Sequence, residues 1–151
     1  MKVIFLDFDG VLNCEKYIQS CEENGVIIDP AKMLLLKKLI NATEAEIVLT
    51  TSWREHWDKH ISKCDNIGIK INEIFKKYDL EIFDKTTKLK SSREAEIKDW
   101  LNKNIEVGDF VVLDDAFLSA DYLDGHFVKT SNYFGGLDKN DVKKAIEILN
   151  E

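Results

Sequence analysis

Three short runs of nearly unbroken apolar character punctuate the chain: Lys2–Leu6 (KVIFL), Glu46–Thr50 (EIVLT) and Asp109–Leu113 (DFVVL). Runs without apolar/polar alternation fit strands covered on both faces, as in a parallel sheet between helices. Helical patterns separate them. Asp29 is placed to cap, and Pro30 to open, a helix through AKMLLLKKLINAT. A weaker helix is expected over 54–64 (REHWDKHISKC). Ser92 is placed to cap REAEIKDWLNKN, where Ile97, Trp100 and Leu101 share one face. Asp138 or Asn140 opens the last helix, which runs through Leu149. His126–Val128 reads as a marginal further strand, and Leu80–Thr86 as a strand or an extended loop. Trp57 and Trp100 read as core. Strand alternating with helix predicts an α/β fold: a three-layer, doubly wound, Rossmann-like and mostly parallel sheet. No repeat, low-complexity stretch or linker divides the chain, so residues 1–151 are expected to form one domain.

Composition narrows the functional classes. Asp and Glu number 28 against 21 Lys and Arg, a net charge of −7, which argues against a dedicated duplex-binding module while leaving room for a local basic rim. Cys14, Cys21 and Cys64 are odd in number and lack CxxC spacing, so they read as reduced thiols and not as a disulfide framework or zinc site. The first apolar run is too short for a signal sequence, and no run approaches a membrane span. The expectation is a cytoplasmic protein with no membrane partner.

The candidate chemistry lies at the strand ends. In open α/β sheets, ligands sit outside the carboxyl ends of the strands. The three apolar runs are followed by Asp7-Phe8-Asp9-Gly10, by Thr50-Thr51-Ser52 and by Asp114-Asp115. Asp7 and Asp9 are expected on one side of the chain, about 6.6 Å apart at strand rise. Carboxylates gathered on one edge repel, and one is driven to protonate unless a cation compensates them. Mg²⁺ suits such oxygen ligands and recruits phosphate. Beside such an ion, one carboxylate can attack phosphorus while a second exchanges protons with the leaving oxygen and then with water. Thr51 or Ser52 can hold a phosphoryl oxygen. Lys88, Lys90 and Arg93, just before or at the start of a predicted helix, supply candidate cations.

DFDGVLN, an apolar run into TTSWR, a basic residue ahead of a helix, and VVLDD together resemble the four-motif pattern of the haloacid dehalogenase (HAD) superfamily. RxxEIxxWL is similar to a sub-branch found in or beside RNA-repair proteins. The resemblance implies Asp7 as nucleophile and Asp9 as acid/base. It implies Mg²⁺ held by Asp7, Asp9 (through its backbone carbonyl) and Asp114 or Asp115. It puts phosphate binding on Thr51 first, with Ser52 and Thr50 as alternatives, and on Arg93 first, with Lys88 and Lys90 in play. An Asp at position 9 points to phosphatase or phosphotransferase chemistry within the superfamily.

The spacing between motifs leaves no room for a large cap domain, which by analogy suits a bulky phosphorylated substrate: a nucleic-acid end or nucleotide first, a phosphoprotein second. Arg54 is open to two readings, a bidentate phosphate clamp or a surface residue paired with Asp58. His56 and His60 read as surface. Residues 129–131 and 133–136 are expected near the site edge, read as a glycine turn before the last helix. Two rivals remain. One is a non-catalytic phosphate- or partner-binding module that keeps the metal cradle. The other is a receiver domain, which the order DxD, hydroxyl, base, DD disfavours.

Overall fold

The first apolar run becomes the middle of the sheet. In the computed structural model, which describes residues 1–23, 25–131 and 135–151, five strands pair in parallel in the order β3-β2-β1-β4-β5. They are β1 (Lys2–Leu6), β2 (Glu46–Leu49), β3 (Ile82–Lys85), β4 (Asp109–Asp114) and β5 (Phe127–Lys129). The helices are α1 (Glu15–Ser20), α2 (Pro30–Thr43), α3 (Asn66–Lys77), α4 (Arg93–Lys103) and α5 (Lys139–Leu149).

Side-chain alternation along the strands divides the core in two. Val3, Phe5, Val48 and Val112 meet Ile97 and Trp100 of α4, with Phe5 and Trp100 edge-to-face at 5.4 Å. Ile4, Leu6, Ile47, Leu49, Val111 and Leu113 meet Met33, Leu36 and Leu39 of α2, Ile71 and Phe75 of α3, and Val142, Ala145 and Leu149 of α5. Both faces of the central strands are dry, which is why their sequence lacks polar alternation. The result is the three-layer α/β fold with helices on both faces. No large cap interrupts it among the described residues: α1 and α2 lie between β1 and β2, and two short 3₁₀ turns and α3 between β2 and β3. No described helix is long and apolar enough to cross a membrane.

Local signals account for most boundaries. The Asp29 side chain accepts from Ala31 N and Pro30 opens α2. Ser92 Oγ accepts from Ala95 N. Asp138, and not Asn140, caps α5 in a reciprocal box with Asp141. The Leu80–Thr86 stretch resolves to a strand over Ile82–Lys85, and the marginal strand shifts by one residue to Phe127–Lys129.

One expected element is wrong. Residues 54–64 form no α-helix; they contribute to 3₁₀ turns at Ser52–His56 and Ile61–Lys63, and the helix comes later as α3. Asp65 starts it, accepting from the Ile67 and Gly68 N–H groups at 3.0 Å each. Ile67, Ile71, Ile74 and Phe75 then supply the inward face. The His56 ring, half-buried, is held by Asp65 at 2.6 Å, whereas His60 is exposed as expected.

Gly68 permits the close packing of α3 against the 52–56 turn. A Cβ there would lie 1.9 Å from the His56 carbonyl oxygen. In an exposed helix, Gly→Ala gains about 1 kcal/mol. Here the backbone clash must win, since overpacking costs about 1–3 kcal/mol and a carbonyl cannot swing aside as a side chain can. Gly68→Ala is therefore expected to lower stability in chemical denaturation; a variant equal to or above wild type refutes this packing account.

Candidate active site

The sheet order reverses at β1: β2 and β3 lie on one side, β4 and β5 on the other. The crevice at such a switch point is where α/β folds bind ligands. Leu6 pairs with Leu49 on one side and Leu113 on the other. The ladder continues one residue further. Thr50 N donates to Leu6 O, Asp7 N to Leu113 O and Thr86 N to Leu49 O. Thr86, Thr50, Asp7 and Asp114 thus stand in one lateral row across the carboxyl end of the sheet.

Asp7 is 6% exposed and Asp114 not at all. Together with half-buried Asp115 they form a group whose carboxylate oxygens lie within 4.8 Å of one another. Asp115 approaches because Gly10 has no side chain. A Cβ at Gly10 would lie 2.3 Å from Asp115 Oδ2, and its φ of +83° also favours glycine. Arg93, at the first position of α4, sends Nη1 between two of the acids, 2.6 Å from Asp114 Oδ2 and 3.2 Å from Asp7 Oδ2. Asp7 Oδ1 accepts from the Phe8 N–H at 2.9 Å, and Asp114 Oδ1 from the Ala116 N–H at 2.9 Å.

One guanidinium does not neutralise three carboxylates. Burial first, and then Asp114, push Asp7 up to about 7, against the opposing pull of Arg93 and Phe8. Asp115 is raised by burial and by Asp114. Burial alone would lower Arg93, yet Asp7 and Asp114 raise it.

Asp9 stands apart from that group. Its exposed carboxylate accepts from Asn13 Nδ2 at 3.0 Å and from Trp53 Nε1 at 3.1 Å. Asn13, fully buried, also accepts from Gly10 N at 2.9 Å and donates to Ile27 O at 2.6 Å, so it ties the turn to the stretch before α2. Sequence reading gave Asn13 and Trp53 no role. The available signal was that an amide four residues after Asp9 and an indole beside the hydroxyl cluster both offer donors to a carboxylate.

The hydroxyls divide by environment. Thr51 Oγ1 accepts from Trp53 N at 3.3 Å and caps the 52–56 turn. Ser52 is exposed. Thr50 Oγ1 is the buried side-chain polar atom without a hydrogen-bond partner among the described residues. Lys88 and Lys90 are exposed and Arg93 is the cation that meets the acids. Arg54 departs from both expectations. It is neither on the surface nor paired with Asp58, and its guanidinium is committed inside the protein to backbone carbonyls and Glu96. Thr130 donates from its hydroxyl to Gly10 O and from its N–H to Asp114 O, bracing the flank. Lys129 is exposed, and Tyr133 and Phe134 of the expected rim lie outside the described residues.

A family model described as the HAD domain in Swiss Army Knife RNA repair proteins matches residues 3–142. The chain belongs to this HAD family. At the coarse level the HAD assignment makes it a HAD-type phosphohydrolase domain with a phosphorylated substrate, of a class that generally uses Mg²⁺. No curated protein and no solved structure matches it. The donor set of the HAD site fits a hard divalent cation: three clustered carboxylates, oxygen only, with excess negative charge.

The raised Asp7 gives a stability signature. The folded state binds this proton more tightly than the unfolded chain. The corresponding stability is whole below pH 3.8, falls as pH rises, and is gone above about 7. Metal-free protein is expected to melt lower at pH 8 than at pH 5, and Asp7→Asn or added Mg²⁺ to flatten that fall; each 1 kcal/mol appears as about 2–4 °C in a protein of this size. Identical pH slopes for wild type and Asp7→Asn, both without metal, contradict the assignment.

Proposed function

We propose that the protein is a Mg²⁺-dependent phosphohydrolase working through a phospho-Asp7 intermediate on a bulky phosphomonoester, a nucleic-acid end or nucleotide first. The arrangement that carries this reading is the separation of the acids. Asp7 sits in the buried cluster under Arg93, while Asp9 is exposed and held by Asn13 and Trp53. Two carboxylates in such different settings suit two different tasks, nucleophile and proton carrier.

Asp7, Asp114 and Asp115 would hold the cation, with the Asp9 backbone carbonyl as a further candidate ligand. When bound, the ion supplies positive charge that favours ionised Asp7 and offsets the charge of the phosphoryl group. The Asp7 carboxylate attacks phosphorus, and the bond from phosphorus to the ester oxygen breaks. Asp9 delivers its proton to that departing oxygen. Asp9 then takes a proton from water, whose oxygen attacks phosphorus and releases phosphate from Asp7.

Thr50 is assigned to a phosphoryl oxygen in preference to Thr51 and Ser52. Its buried hydroxyl has no hydrogen-bond partner among the described residues and the residue stands next to Asp7 in the sheet row, whereas Thr51 already caps a turn. Arg93 is assigned to a second phosphoryl oxygen. That no large cap lies among the described residues supports a bulky substrate, and exposed Lys88 and Lys90 ahead of Arg93 suit one carrying further phosphates. The RNA-repair context in the family description points the same way.

The test is turnover of p-nitrophenyl phosphate with Mg²⁺, followed by nucleotides, 3′- and 5′-phosphorylated oligonucleotides and phosphopeptides. Asp7→Asn is expected to abolish hydrolysis while circular dichroism stays unchanged, and Thr50→Val to lower kcat/KM by about 10²–10³, as for loss of one transition-state donor. Mg²⁺-dependent turnover retained by purified Asp7→Asn would falsify the covalent mechanism. Phosphate binding by wild type without turnover of any of these esters favours a non-catalytic binding module instead.

A further inference from the structure

Arg54 and Glu96 form an ion pair inside the protein, Nη2 to Oε2 at 3.1 Å, with side chains only 6% and 9% exposed. Such a pair is a poor source of stability, because desolvating both charges offsets their attraction. The remaining contacts suggest what it does instead. Arg54 Nε donates to Thr86 O at 3.0 Å, at the end of β3. Nη1 donates to Thr50 O at 2.8 Å and Thr51 O at 3.0 Å, at the end of β2. Glu96 Oε2 also accepts from Leu89 N at 2.9 Å, in the connection from β3 to α4.

The rigid fork of a guanidinium fixes direction as well as distance. Glu96 lies three residues after Arg93 on α4, a neighbour on the same helix surface. A tie to Glu96 therefore fixes the helix end that carries Arg93. The same fork grips the backbone of Thr50, the residue paired with Asp7 across the sheet end and assigned above to a phosphoryl oxygen. The connection itself would hold this spacing weakly, since Thr87, Lys88, Lys90, Ser91 and Ser92 are all exposed.

We propose that the Arg54–Glu96 pair is a positioning element that sets the distance between the Thr50 hydroxyl and Arg93, the two parts of the phosphoryl-binding edge contributed by β2 and α4. This inference rests on the phosphohydrolase reading for its kinetic consequences, but its structural consequence is independent of that reading. Neither Arg54 nor Glu96 touches substrate.

The decisive variant is Arg54→Met with Glu96→Leu, since replacing both partners of a buried pair with apolar groups of similar volume is often neutral for stability. The double variant is expected to fold but to melt below wild type, because Thr50 O, Thr51 O, Thr86 O and Leu89 N each lose a side-chain partner. Its kcat/KM for p-nitrophenyl phosphate should fall about 100-fold, the scale of a misplacement of about 1 Å. The inhibition constant of inorganic phosphate should rise, whereas the Mg²⁺ concentration for half-activation should not move, because the hydrogen bonds and ion pair of Arg54 and Glu96 go to Thr50, Thr51, Thr86, Leu89 and each other, not to Asp7, Asp114 or Asp115. Hydrogen exchange should quicken across 50–54 and 86–93 and remain at wild-type rates in β1, α2 and α5. Arg54→Lys carries the same test if the double variant does not fold, since Lys keeps the charge and loses the fork. Unchanged phosphate inhibition and unchanged exchange in 50–54 and 86–93 overturn the proposal, as does a uniform quickening over the whole chain. Absence of wild-type turnover would sink the phosphohydrolase reading alone and leave the exchange comparison to decide this one.

Discussion

Carboxylate crowding at the centre of the sheet is the constraint around which the rest of the molecule is arranged. Parallel register puts Asp7 beside Asp114 whether or not their charges agree. The bare backbone of Gly10 then admits Asp115. Repulsion in a dry setting is costly, and the fold meets it in part with Arg93. What Arg93 leaves uncompensated is the electrostatic basis for a cation at this point. Acids whose positions are set by strand register are also rigidly held, because moving Asp7 or Asp114 means breaking a ladder that both core layers clamp.

Around that centre the turns are specialised. The turn after β1 carries Asp9 and is fastened by Asn13 from within its own chain and by Trp53 from the next strand end. The turn after β2 is capped by Thr51 and gripped by Arg54. The start of α4 delivers Arg93. Three connections of different length thus converge through side-chain hydrogen bonds and ion pairs.

Much of this was legible in the chain. The three central strands announced themselves as apolar runs because both their faces are covered, and acids at their ends stood out against that background. Asp29, Pro30, Ser92 and Asp138 acted as caps through short-range chemistry, which needs no tertiary information. The error over 54–64 arose from the opposite case. Trp57, Ile61 and Cys64 are spaced i, i+4, i+7 as on one helix face, yet Trp57 is buried through a tertiary bond to Asn72 while Ile61 is exposed, so their spacing imitated a helix. The true helix was obscured by Gly68, whose presence reflects contact with a distant carbonyl and not local preference. Arg54 misled for the same reason: a charge is presumed to face water, and only the fold reveals an acid and three carbonyls waiting for it. The split between Thr50 and Thr51 was equally out of reach, since adjacent hydroxyls differ only by which face of the strand end each meets.

The indole of Trp53 has a practical corollary. Trp57 and Trp100 are buried with their N–H groups bonded to Asn72 and Asp84, deep in separate parts of the protein. Trp53 is only half-buried and bonds directly to Asp9. Of these three indoles, that of Trp53 is therefore the one whose emission would respond to a change at the Asp9 carboxylate, a readout that needs no turnover.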